Sequence, residues 1–130
     1  MDKDQILTIF NKQFKEFVQD ISRVFPENYD IAKIKASIGQ LVTITPKTVY
    51  NTFKKHVADK YRSEIENGDI KFFIEKDYNS DLEQPGNNAI LDKIDCLRDP
   101  IRNMSKSDQD TVIKYLQNMT KLCEMYEGKT

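Results

Sequence analysis

Apolar residues recur along this chain at intervals of three and four, the spacing that gathers side chains on one face of an α-helix. In the first 25 residues Ile6, Phe10, Phe14, Phe17, Ile21 and Val24 form such a stripe. Asp2, with Gln5 three positions on, reads as a capping box, and Met1 is placed to staple against Ile6. Pro26 ends the helix, and beyond the turn at Tyr29 a second stripe runs through Ile31, Ile34, Ile38 and Leu41, with Lys33 and Lys35 outside it. The β-branched run from Val42 to Thr45 predicts a stop near residue 42. Thr45 followed by Pro46 is a start signal, since threonine caps free amides and proline at the first helical position has no amide to leave unbonded. The third helix then carries Val49, Phe53, Val57, Tyr61 and Ile65.

Asn67 and Gly68 supply a left-handed C-terminal stop, and Asp69 can cap again at once. Ile70, Phe73 and Ile74 then form the apolar side of a short helix, with a buried strand as the alternative. Residues 79–88 are rich in turn formers and read as the one long loop. Ile90, Ile94, Leu97, Ile101 and Met104 resume helical spacing, although Asp99 and Pro100 must kink that helix or restart it. Ser107 with Asp110 resembles a capping box for a last helix whose stripe is Ile113, Leu116, Thr120 and Cys123, flanked by Val112, Met119, Leu122 and Tyr126 and ended by Gly128. The pattern predicts a single all-α domain over residues 1–130, a bundle of five or six short helices in orthogonal packing, with a helix-turn-helix-like hairpin at the second and third.

Composition narrows the function classes. The 130 residues are 38% apolar and 32% charged, with 20 basic against 21 acidic side chains, so nothing global draws the chain to nucleic acid or an acidic membrane. No apolar run spans a bilayer and the first residues are charged, which predicts a protein that is neither secreted nor membrane-bound. Cys96 and Cys123 lie in apolar helical patterns, as reduced core thiols of an intracellular protein would. A single histidine, His56, two distant cysteines and four scattered glycines predict no catalytic triad, no zinc site and no phosphate loop, hence no enzyme and no cofactor. Asp77, Asn79 and Asp81 hold the first, third and fifth places of a calcium loop, but Leu82, Pro85 and Asn88 break its remainder.

Charge is uneven locally. Residues 46–62 carry Lys47, Lys54, Lys55, Lys60 and Arg62 against Asp59, whereas residues 63–83 carry seven acids against Lys71 and Lys76. Such a dipole suits a charged partner or head-to-tail pairing with a second copy, so a homodimer is one expectation. In the helix-turn-helix reading, Lys47, Thr48 and Asn51 face bases while Lys54, Lys55 and Lys60 meet phosphates. Thr43, where the motif favours glycine, and Thr52, where it wants a buried residue, speak against it. Phe72 and Phe73, beside Ile70 and Ile74, are too apolar for one narrow stripe. Either an aromatic ring stays at the surface as an interface anchor, together with Tyr78, or a sandwiched helix buries both sides.

Several stretches also resemble a family of small helical proteins of uncharacterised activity encoded by nucleocytoplasmic large DNA viruses. They are Phe-Val-Gln-Asp at 17–20, Val-Phe-Pro-Glu at 24–27, residues 46–61, the Gly-Asp to Phe-Phe to Asp-Tyr segment within 65–78, and Ile-Lys-Tyr-Leu at 113–116. The resemblance implies a viral protein of the host-cell cytoplasm, viral factory or virion, and it carries over no catalytic residue. The expected function is a non-enzymatic interaction or structural protein, a virion component or assembly adaptor acting on a viral protein or on itself. The alternative is a nucleic-acid-binding accessory factor using residues 31–62.

Overall fold

The computed structural model describes residues 2–74 and 96–128, and there the regular secondary structure is all helical, without a strand. Helix α1, Lys3–Val24, opens with the predicted capping box: Asp2 Oδ1 accepts from the Gln5 amide at 2.8 Å, and Gln5 Oε1 accepts from the Asp2 amide at 3.0 Å. Its stripe is buried except for Val24, which is exposed. Asn28, not anticipated as a cap, accepts from the Ile31 amide and starts α2, Tyr29–Ile44. This helix runs past residue 42 to Ile44, and the Thr43 and Thr45 hydroxyls satisfy themselves by donating back to the Gly39 and Leu41 carbonyls.

Thr45 does not cap the next helix with its side chain. Its hydroxyl is already given to Leu41, and its carbonyl instead receives the Thr48 and Val49 amides, with Pro46 at the first position of α3, Pro46–Phe53. The predicted continuous third helix is broken. It continues as a π-turn, Lys54–Ala58, closed by the Asp59 amide on the Lys54 carbonyl, and restarts as α4, Arg62–Glu66. The stripe explains the widening. Its members are spaced by four, more than an α-turn holds, and the wider turn cancels the drift so that Val49, Phe53, Val57 and Ile65 all stay buried.

Gly68, at φ +73°, ends α4 as predicted, with its amide on Ile65 and that of Asp69 on Glu64, a Schellman closure. Asp69 Oδ1 accepts from the Lys71 amide and starts α5, Lys71–Ile74. Helix α6, Arg98–Arg102, begins after Leu97, so Pro100 falls within the first turn, where its missing amide costs nothing. The last helix, α7, is Lys106–Glu127, and its cap is Ser105, two residues earlier than expected, accepting from the Asp108 amide. The helix count therefore exceeds the predicted five or six, even among the described residues.

α1 is the central element and packs chiefly on α7 and α2. Phe10 lies edge-on to Tyr50 and Phe53 at centroid distances of 5.3 and 5.4 Å, and Phe14 meets Phe53 at 6.3 Å. Cys123 is buried, but Cys96 is exposed, contrary to its expected core place. The 79–88 loop, the calcium-like positions and Tyr78 lie outside the described residues, as does the Met1 staple.

Candidate functional site

The positively charged surface nominated by the sequence is divided by the fold. Lys47, Thr48, Asn51 and Lys55 share the exposed side of α3 and the π-turn, as helical spacing requires. Lys60 is also exposed, its ammonium 5.8 Å from the centroid of the Tyr61 ring. Lys54 differs: it is half-buried, and its Nζ lies 2.6 Å from Asp59 Oδ2. That hydrogen bond is the main reason its pKa is raised, which keeps the ammonium charged but spends it on an internal partner. Arg62 meets the same carboxylate at 3.3 Å and Glu124 of α7 at 3.6 Å. The predicted positive segment thus faces acids from a helix remote in sequence.

Beneath this surface, the Tyr50 phenol donates to Glu127 Oε1 at 3.0 Å, and the Tyr50 and Tyr126 ring centroids are 4.5 Å apart. Burial, followed by the nearby acidic groups, raises the Tyr50 pKa. Burial likewise pushes the Cys123 thiol up to about 12, so at neutral pH it is a neutral packing residue rather than a thiolate nucleophile. The hairpin of α2 and α3 is present, but its joint is the single residue Thr45, shorter than the three or four residues of a DNA-binding helix-turn-helix. Thr52 is buried, as that motif requires.

The aromatic pair is split. Phe73 belongs to the core, which corrects its nomination as an interface residue, while Phe72 is half-buried and stacks on Tyr61 at 4.8 Å. Two arginines of α6 bind the end of α5, and one of them covers Phe73. Arg98, itself 6% exposed, donates to the Phe73 carbonyl at 2.5 Å and covers its ring, and Arg102 donates to the Ile74 carbonyl at 3.0 Å. A helix of four residues leaves its terminal carbonyls without internal partners, and these guanidinium groups supply them.

Sequence reasoning missed the outer side of α2. Residues 36–46 contain no charged side chain, the longest such run in a chain that is 32% charged. Ala36, Gln40, Thr43 and Ile44 are exposed there, Ile44 to 75%, and Tyr29 at the start of the helix is 83% exposed. The missing charges were visible in the sequence; which of the uncharged residues face solvent was not. Beside this face, between α1 and α2, runs a cleft of about 490 Å³ lined by Lys15, Val18, Ala36 and Gly39 among others. A second cleft, at the α2–α3 joint, includes Asn11, Thr43 and Pro46. Asn11 is 7% exposed; its amide donates to the Pro46 carbonyl at 3.5 Å, and its Oδ1 has no hydrogen-bond partner among the described residues. Comparison of the chain with protein-family models, with curated proteins and with solved structures gives no match.

Proposed function

We propose that this protein is a non-enzymatic interaction or structural domain that makes its contacts through the outer side of α2. The supporting observation is the uncharged run at residues 36–46, of which Ala36, Gln40, Thr43 and Ile44 are exposed, with Tyr29 exposed at the start of the same helix. Interface cores are poor in charge and rich in aromatic and aliphatic groups, whereas a highly charged surface without a partner has no reason to interrupt its charge there. The resemblance to the large DNA virus family sets this role in an infected cell, as a particle component or assembly adaptor. A photo-crosslinking residue at Gln40 tests it, with Lys114 on α7 as the control. Protein adducts in expressing cells are expected at Gln40 and not at Lys114; equal yields at the two positions overturn the reading.

A second reading, a nucleic-acid-binding accessory factor, is favoured by the shared exposed side of Lys47, Thr48, Asn51 and Lys55. The internal pairing of Lys54 and the acids around Arg62 weaken it, since affinity for phosphates grows with the number of uncompensated cations. Fluorescence anisotropy of labelled duplex DNA and RNA at low and physiological salt decides between the two. Salt-dependent binding abolished by Lys47→Glu and Lys55→Glu supports the second reading, and no binding at low salt eliminates it.

A further inference from the structure

Asn67 and Gly68 are the one Asn–Gly pair of the chain. A backbone amide that follows asparagine can attack the side-chain carboxamide, and glycine, lacking a Cβ, leaves that amide the least hindered. The pair lies at the end of α4, exposed to the water that would complete such a reaction. Its conformation in the fold opposes the attack. Closure of the five-membered ring requires Asn67 Cβ to eclipse the Gly68 nitrogen about the Cα–C bond. At ψ −3° the backbone nitrogen of Asn67 holds that eclipsed place instead, and Cβ stands about a third of a turn away. The same conformation delivers the Gly68 amide to the Ile65 carbonyl at 3.0 Å and the Asp69 amide to the Glu64 carbonyl at 2.9 Å, so the attacking nitrogen is already engaged. Gln117 Nε2, from α7, donates to the same Ile65 carbonyl at 3.0 Å and ties the closure to the bundle. Downstream, Arg98 and Arg102 hold the last carbonyls of α5, so turning Asn67 about ψ must also pull on that helix.

We infer that Asn67 is a self-modification site that the α4–α5 junction keeps latched. When the closure opens locally, the Gly68 nitrogen bonds to Asn67 Cγ, its amide proton passes to a solvent base, and the carboxamide nitrogen leaves as ammonia, which gives a succinimide. Water then adds to one of the two imide carbonyls. Breaking the bond from Gly68 nitrogen to Cγ leaves aspartate, and breaking its bond to the Asn67 main-chain carbonyl carbon leaves isoaspartate, whose backbone runs through the side chain and is longer by one methylene. Water is the one co-reactant, and nothing is oxidised or reduced. Either product places a carboxylate at the C-terminal, negative end of α4, among Glu64, Glu66 and Asp69. Isoaspartate also shifts the Gly68 amide off the Ile65 carbonyl, since the closure depends on the length of the turn. The reaction therefore weakens the closure that restrained it and runs one way.

Mass-spectrometric peptide mapping of the full chain, held in warm and mildly alkaline buffer, reads the mass gain of deamidation at Asn67. In guanidinium chloride above the unfolding midpoint that gain is expected about 10- to 100-fold faster than in native buffer, the factor by which two closing hydrogen bonds lower the open population. Arg102→Met removes one anchor of α5 at the surface and should quicken the native-state reaction about 2- to 10-fold, the usual worth of one hydrogen bond. Asn67→Asp reproduces the charged product and should raise hydrogen exchange at the Gly68 and Asp69 amides about 2- to 5-fold, the cost of an anion at a helix C-terminus. Equal rates in the native and the denatured chain, a native rate indifferent to Arg102→Met, or amide protection unmoved by Asn67→Asp each overturns the proposal. An Asn67 that stays intact in denaturant overturns it as well, whatever happens at the other asparagines.

Discussion

Arg98 and Tyr115 carry more of the tertiary structure than their place in the sequence suggests. Burial pulls the Arg98 guanidinium down to about 8, which leaves it protonated at neutral pH, where it holds the α5 carboxyl end against α6. Arg98→Met keeps the side-chain bulk and removes the donors, and it should cost about 2–3 kcal/mol. A lowered urea midpoint with unchanged slope would show it; a loss no larger than that of exposed Arg102→Met would refute the capping role. The Tyr115 phenol donates to Asp20 and ties α7 to α1. Burial first, then that bond, pushes its pKa from 10.0 up to about 12. A group bound more tightly to its proton in the folded state contributes fully below its unfolded pKa, and that contribution is lost as pH rises towards the folded one. The stability difference between the natural chain and Tyr115→Phe should therefore be flat below pH 10 and shrink between pH 10 and 12. A flat difference through pH 12 would contradict the shift.

Helices are where the amino-acid pattern speaks most directly. The α1 capping box, the Pro46 start and the Gly68 stop all stand where the residues predict, because each depends on bonds within three or four positions. One glycine inside a helix and one just past a helix end separate the rules. Gly39 lies in mid-helix with open space around its Cβ, so Gly39→Ala should stabilise by about 0.5–1 kcal/mol. Gly68 sits at φ +73°, so Gly68→Ala should destabilise by about 1–2 kcal/mol. Thermal unfolding of the pair is expected to shift in opposite directions, and a shared sign would mean that packing, not backbone conformation, governs one of them. Where a local signal had competitors, the sequence misled. Ser105 with Asp108 and Ser107 with Asp110 offer the same Ser-x-x-Asp pattern and the earlier one caps α7, while Thr45 gives its hydroxyl backwards rather than forwards.

Across the whole molecule, one aromatic cluster joins α1, α3 and α7, and Phe10 lies at its centre, fully buried. Phe10→Ala should cost about 3–5 kcal/mol, a large share of the roughly 5–15 kcal/mol that holds such domains folded. Chemical denaturation should show that loss as one cooperative transition, whereas a loss below about 1 kcal/mol would mean that the core closes over the gap. Helical periodicity by itself determined the fold class, which stripes face inwards and most element ends, since the alignment of a stripe on one helix face and local capping are decided by residues a few positions apart. The candidate site was legible only in part: Lys47, Thr48, Asn51 and Lys55 were found on one exposed side, but whether Phe72 and Phe73 would be buried or form an interface was left open between two readings. Tertiary structure alone decided the rest. It set Glu124 and Glu127 beside residues 46–62, buried Phe73 under Arg98, and left Ala36, Gln40, Thr43 and Ile44 of the uncharged run exposed. Each depends on which distant helix arrives at a given face, and a one-dimensional pattern of apolar and polar positions contains no record of that.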